Sequence, residues 1–394
     1  MFDPDERTVG NCEDGPDGVR RTLRIGASLP FSGFMRIEGV EMYLGMEFWR
    51  QRINERGGLL GRPVEFVIYD DRSIAKGAKA AYRTLLEDDD VDLVMGTAGT
   101  LATRGTIEVL EAKGMPCVFA MSWGPRAWDK DREWTVPLLP IAGQVPKGLV
   151  EVLANVGMES FAIVRSSSGY VTDLTAGLKR FLKQASIDIR TDRIYPRGQA
   201  DERRAALRDV AKANADVIGG GGSVDEVKPL IRAVRDMGIE AKTFAWFDFD
   251  DTRLFPVASA AEGMLGPGLW SARADWAGNR EFVREYYDWA KTRRPDWSNV
   301  RLFQHHSPAA YAGATLLQRA VENAGEIDPT AVRDELWGLD TETICGKFEV
   351  DDEGYQVGKR MLVLQYQRHA REIVWPESLR TAKARIPTLT RPGT

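Results

Sequence analysis

Cysteine and histidine are scarce in this chain, with three of each among 394 residues. Cys12, Cys117 and Cys345 do not make a disulfide framework, and they leave the redox compartment open. Cys117 sits in an apolar run and is expected to be a buried small hydrophobe. His305 and His306 are adjacent but lack a CxxC or HExxH partner, so packing at a helix start is expected rather than a metal site. Charge of one sign is also not in excess. With 53 Lys+Arg against 58 Asp+Glu, the net charge of -5 gives no reason to expect nucleic acid or an anionic membrane as partner. No apolar run approaches the roughly 18 residues needed to span a bilayer. The chain has no clean dinucleotide fingerprint, no GxxxxGK loop and no convincing Ser–His–Asp or Cys–His set, which removes the usual enzymatic constellations. Residues 1–21 are acidic and Gly-rich, without a basic n-region or an apolar h-region. They read as a disordered tail, not a secretory signal, and no apolar segment precedes Cys12 as a lipoprotein signal would require.

What is present is the composition of a soluble globular protein, 43% hydrophobic and 28% charged, at a length that predicts two domains. Leu23, Ile25 and Ala27 open a short strand that breaks at Pro30. A helix follows with Met42, Met46, Trp49 and Ile53 on one face. Gly57-Gly58 stops it, and a second strand runs over 64–69. This βαβ unit places its first loop at the carboxyl end of a strand, where open α/β sheets bind ligands. The alternation continues through helix 76–87, strand 91–95, helix 103–113 and strand 116–120. A Pro-rich passage at 137–146 reads as a crossover. Alternation restarts over 147–247, with helices 147–155, 172–185, 202–213 and 225–237 between short apolar strands. The segment 262–268 reads as a second crossover. Helices at 279–292, 307–323 and 330–337 have no sheet of their own and are expected to return to the first lobe. Segments 346–354 and 361–367 read as a late strand pair on the second lobe.

The ordered phrases Ile25-Gly26, Pro30-x-Ser32-Gly33, Ile53-Asn54, Gly57-Gly58, Gly61-Arg62-Pro63 and Tyr69-Asp70-Asp71 resemble the branched-chain amino-acid (Leu/Ile/Val) binding protein family. These are type I periplasmic solute-binding receptors of ABC importers, and the resemblance covers almost everything after Thr22. It implies an α/β fold of two doubly wound lobes joined by three crossover segments, near 140–143, 263–268 and 346–350. Lobe 1 would comprise 22–140 plus 268–346, and lobe 2 would comprise 141–267 plus 347–394.

Candidate binding residues cluster at strand ends. Around Gly99 and Thr100, small residues, the hydroxyls of Thr97, Thr100 and Thr103, and a helix start suit a carboxylate. The resemblance places Thr100 at the family's ligand-carboxylate serine. Ser122 lies in the next junction, and Trp123 replaces a small hydroxyl residue of the family, as a wall or stacking surface. In the second lobe Tyr170 matches a ligand-facing tyrosine. The Gly-rich run 219–223 reads as a wide turn, and Ser223 stands where the family usually has a bulkier side chain. Asp248 is the candidate for a ligand ammonium, and Glu38 for a further polar group. Tyr69-Asp70-Asp71 reads as a structural turn. Trp123, Tyr170, Trp246 and Phe247 together suggest a ligand with an apolar or planar body.

The resemblance thus implies a solute-binding protein that closes two lobes on a small carboxylate, an amino acid or an aromatic or organic acid, and delivers it to an ABC transporter permease. A monomer is expected, in the periplasm or outside the cell, with no reaction, cofactor or metal. A cytoplasmic ligand sensor on the same fold is the alternative that suits the missing export signal. An enzyme on a doubly wound sheet is the weaker alternative, given the missing constellations.

Overall fold

The computed structural model describes residues 8–9, 22–124, 128, 132–293 and 305–386. The chain forms two compact units, Met1–Ile141 with Trp276–Lys359, and Ala142–Asp275 with Arg360–Thr394. It enters the first through β1 (Thr8–Val9), β2 (Leu23–Leu29), α1 (Arg36–Glu55), β3 (Val64–Asp70), α2 (Ala75–Glu87), β4 (Leu93–Met95), α3 (Thr100–Lys113), β5 (Cys117–Phe119) and β6 (Thr135–Pro137). The second unit follows with α4 (Lys147–Asn155), β7 (Ser160–Ser166), α5 (Gly169–Gln184), β8 (Asp188–Tyr195), α6 (Ala200–Lys212), β9 (Val217–Gly221), α7 (Val224–Asp236), β10 (Thr243–Trp246) and β11 (Leu265–Gly268). Next α8 (Asn279–Arg293), α9 (His306–Ala324), α10 (Pro329–Gly338) and the hairpin β12 (Thr341–Thr343) and β13 (Gly346–Phe348) complete the first unit. Finally β14 (Leu362–Gln367) and β15 (Ala370–Trp375) complete the second.

The first sheet has the order β1-β3-β2-β4-β5-β6, parallel except for β1. Central β2 is buried on both faces, which is why it reads as a nearly unbroken apolar run. The second sheet has the order β15-β14-β11-β10-β9-β7-β8, with antiparallel pairing confined to β14 and its two neighbours. Each sheet reverses its winding once. In the first, β2 lies between β3 and β4; in the second, β7 lies between β8 and β9. Ligands of open α/β sheets gather at such a reversal, outside the carboxyl ends of the two strands.

Several expectations are corrected. Residues 262–268 are not a crossover, because β11 pairs with both β10 and β14, and the chain changes unit only after Asp275. The third change comes after Lys359, not at 346–350. The segment before it is tied to the first unit. Arg132 donates to the Glu353 carbonyl at 2.8 Å, and the Tyr355 hydroxyl to the Trp128 carbonyl at 2.6 Å. The late strands 346–348 and 362–367 accordingly lie in different sheets. Of the expected disordered tail, Thr8–Val9 pairs antiparallel with β3, and the rest of 1–21, including Cys12, lies outside the described residues. The three-residue β6, within what reads as loop, went unforeseen.

Helix α1 carries the expected apolar face, with Met42, Met46, Trp49 and Ile53 all buried. The returning α9 packs on α1 so closely that a Cβ at Gly45 would lie 2.1 Å from the Ser307 carbonyl oxygen. The Ser307 hydroxyl accepts from Tyr286 at 2.8 Å and donates to Glu41. Cys117 is buried in β5, and burial pushes its thiol well up. His306 is buried at the start of α9 with its ring stacked on His305.

Two adjacent carboxylates hold the first binding loop. Asp70 accepts from the Phe31, Ser32 and Arg72 amides and from the Ser32 hydroxyl, at 2.6–3.1 Å. Asp71 is fully buried and accepts from Thr97 at 2.7 Å, Ser28 at 3.0 Å and the Ser73 amide at 2.8 Å. Burial lifts its carboxyl above the usual range against the pull of these bonds. Asp71→Ala orphans the buried Ser28 and Thr97 hydroxyls and is expected to cost about 1–3 kcal/mol for each, measured as a lowered urea midpoint at unchanged m-value. A carboxyl raised in the folded state holds its proton more tightly there, so its ionisation lowers stability as pH rises through the folded value. Asp71→Asn is therefore expected to flatten the fall in stability just above the ordinary carboxylate range.

Candidate functional site

At the carboxyl edge of the first sheet, two loops are tied together. The Gly99 amide donates to the Met121 carbonyl at 2.9 Å, and the Thr100 hydroxyl accepts from the Gly124 amide at 3.1 Å. Thr100 opens α3 half-buried, and its hydroxyl keeps a proton to donate. Gly99 has φ +84°, a conformation that favours glycine, and a Cβ there would lie 2.7 Å from Met35 Sδ, which the flexible methionine side chain can yield. That contact joins the loop before α1, where half-buried Glu38 sits in the first turn, to the loop before α3. Thr97 and Thr103 do not reach the rim: Thr97 donates to Asp71, and Thr103 back-bonds to the Gly99 carbonyl at 2.9 Å. Ser122 is fully buried, and its Oγ has no hydrogen-bond partner among the described residues. Trp123, beside it, is half-buried.

At the carboxyl edge of the second sheet, the Tyr170 hydroxyl donates to Asp248 Oδ1 at 3.3 Å. Burial, and then the charges of Asp248 and Asp250, push the Tyr170 phenol well above its ordinary range. Asp248 adopts φ +49°, a left-handed conformation that aspartate tolerates better than most residues. Its acidic neighbours are committed elsewhere. Asp250 accepts from the Leu269 amide at 2.6 Å, and Asp251 grips Arg253 at 2.7 Å. Ser223 occupies the N-cap of α7 without capping it, and its Oγ is shielded from solvent with no partner among the described residues. Trp246 and Phe247 correct the aromatic expectation: both are core residues, Trp246 stacked on Phe244 and donating to Met264 Sδ.

Sequence reading missed Gly124, where a Cβ would strike Thr100 Cγ2 at 2.1 Å, and Ser166, whose buried Oγ lacks a partner among the described residues. The signal for Ser166 was its place at the end of an apolar strand; for Gly124 there was none beyond a glycine in a loop. Among the described residues no three His, Cys, Asp or Glu gather as a metal site would need, and no helix is long and apolar enough to cross a membrane.

With the two edges described, likeness to known proteins gains meaning. The chain matches the periplasmic binding protein family over residues 22–371 and belongs to it. It is 24% identical to the leucine-, isoleucine-, valine-, threonine- and alanine-binding protein of Pseudomonas aeruginosa over 84% of this chain and 87% of that one. Among solved structures, a leucine-binding protein of Thermotoga maritima superimposes with TM-score 0.75 at 18% identity, covering 89% of this chain and 97% of that chain. A solute-binding protein of an ABC transporter from R. palustris, in complex with benzoate, gives TM-score 0.75 at 16% identity, covering 90% and 95%. These structures share the α/β fold with two mostly parallel sheets.

The Tyr170–Asp248 pair gives a direct check. Removing the charge in Asp248→Asn is expected to bring the Tyr170 phenol down toward its ordinary range. Phenolate absorbance, read as a difference titration against Tyr170→Phe, measures it; an unmoved titration would contradict the pairing.

Proposed function

We propose that this chain is the solute receptor of an ABC importer and that the Thr100 edge of the first sheet holds the carboxylate of its small solute. The observation that carries the reading is the Thr100 edge. A half-buried hydroxyl at a helix start, already fixed by Gly124, stands near a buried Ser122 hydroxyl that lacks a protein partner. Buried polar groups are normally satisfied, and a carboxylate supplies acceptors where a helix start favours negative charge. The Tyr170–Asp248 pair at the second sheet's edge suits a polar or cationic group of a solute. A receptor need only bind and release its solute; no reaction is required. The Pseudomonas aeruginosa relative is named for leucine, isoleucine, valine, threonine and alanine and the R. palustris neighbour holds benzoate, so amino acids and aromatic acids are the classes to try. A permease as partner, a place outside the cytoplasmic membrane and a monomeric state complete the proposal.

Trp123 sets the expected preference. With an indole at this wall, a bulky or planar carboxylate should bind more tightly than leucine, isoleucine or valine. A thermal-shift screen across amino acids and aromatic acids tests this, since a ligand of the native state raises Tm. The largest shift from leucine or valine would contradict the reading of the wall; no shift from any acid would contradict the receptor reading. Thr100→Val is expected to weaken binding of the best acid by about 1–3 kcal/mol through loss of a charge-assisted hydrogen bond. Trp123→Ala should cost about 0.5–1.5 kcal/mol beyond lost area if the ring stacks on the ligand. Calorimetry reads both.

A further inference from the structure

We propose that the solute bears a hydroxyl group, received by Ser166 and Ser223 at the winding reversal of the second sheet. The proposal rests on the receptor reading above and adds the chemistry of the ligand's second polar group.

The position comes first. β7 and β9 are the adjacent strands from which the sheet winds in opposite directions. Arg165 pairs with Gly221, so the next residues, Ser166 and Gly222, face each other across the ends of the two strands, with Ser223 following. A Cβ at Gly222 would lie 2.6 Å from Ser166 Oγ and 2.8 Å from Glu226 Cβ. Glycine at this position lets the serine and the glutamate crowd the strand end.

The second observation is the state of the polar groups. Ser166 is 1% exposed, yet its Oγ has no hydrogen-bond partner among the described residues, and neither has the shielded Oγ of Ser223. Glu226 is 4% exposed. Its Oε1 accepts from the Gly198 amide at 2.9 Å, while Oε2 forms a loose ion pair with Arg203 at 4.0 Å and faces the Tyr195 hydroxyl. Two serine hydroxyls without partners among the described residues therefore stand at one strand end, beside a carboxylate oxygen that Arg203 and Tyr195 approach without a hydrogen bond.

The guest that fits this set must both donate and accept. A second carboxylate would meet Glu226, whose negative charge Arg203 offsets only in part from 4.0 Å. An apolar group would leave the serine hydroxyls buried and unsatisfied, at the full desolvation penalty. A hydroxyl can accept from a serine and donate to a serine or to Glu226. The class is thus a hydroxylated carboxylate, whether a hydroxy-substituted aromatic acid or an amino acid with a hydroxyl side chain.

Matched pairs differing by one hydroxyl test it by calorimetry on the full chain: benzoate with 4-hydroxybenzoate, phenylalanine with tyrosine, 2-aminobutyrate with threonine. In at least one pair the hydroxylated member is expected to bind at least about tenfold more tightly, since a site built to hydrogen-bond a hydroxyl rejects the analogue lacking it. Ser166→Ala with Ser223→Ala should close that gap through weaker binding of the hydroxylated member, whereas Ser223→Thr, which keeps the hydroxyl, should retain it. Thermal melts verify that the variants fold. A parent acid that binds as tightly as its hydroxylated partner in every pair, or a gap that survives the double alanine variant, overturns the proposal and leaves the receptor reading intact. Binding of none of the six overturns this proposal, and the receptor reading falls with it only if the wider acid screen also gives no shift.

Discussion

The first unit depends on a constraint two residues long. Asp70 and Asp71, at the end of β3, bind backbone and hydroxyl donors from β2 and from the loops after β2 and β4. Those loops lead into α1 and α3 and so carry Glu38 and Thr100. Without the two carboxylates, three donors of the loop of residues 30–33, the Phe31 and Ser32 amides and the Ser32 hydroxyl, would lose their partner. The cost of burying Asp71 is visible in its raised carboxyl pKa. Three hydrogen bonds offset it, as expected for a buried charged or polar group that persists.

Glycine does the corresponding work where helices and loops touch. Gly45 admits the Ser307 backbone, so α9 can lie on α1 although more than 200 residues separate them. Gly77 admits the Asp71 carbonyl, where a Cβ would sit at 2.3 Å. These close approaches explain how a discontinuous unit holds together: the returning helices meet a surface cut to receive backbone, which side-chain packing alone would keep further away.

How much of this was legible in the sequence follows from the same physics. Central strands such as β2 are apolar on both faces, and α1 has one apolar face, so the alternation and its restart after Pro146 could be read. Crossovers were misread because the passage at 262–268, rich in Gly and Pro, resembles a turn, yet β14 pairs with β11 across it. No local pattern announces a strand whose partner lies about 100 residues away. Thr100, Tyr170 and Asp248 could be picked out as candidates, because chemistry and family phrase agree at those strand ends. The site was not legible at Trp246 and Phe247, since an aromatic at a strand end can face core or rim, and sequence does not say which.

The three serines then separate structural from functional polarity. The buried hydroxyls of Ser28, Thr97, Thr103 and Ser307 each have a protein partner that fixes a loop or a helix. Those of Ser122, Ser166 and Ser223 lack one among the described residues, and all three lie at the carboxyl ends of strands. Thr175 in α5 and Tyr195 in β8 also bury hydroxyls without a partner among the described residues, so a missing partner alone does not mark a site. What sets the three serines apart is their common position, at the edges from which parallel sheets bind small molecules, where the proposed solute would use them.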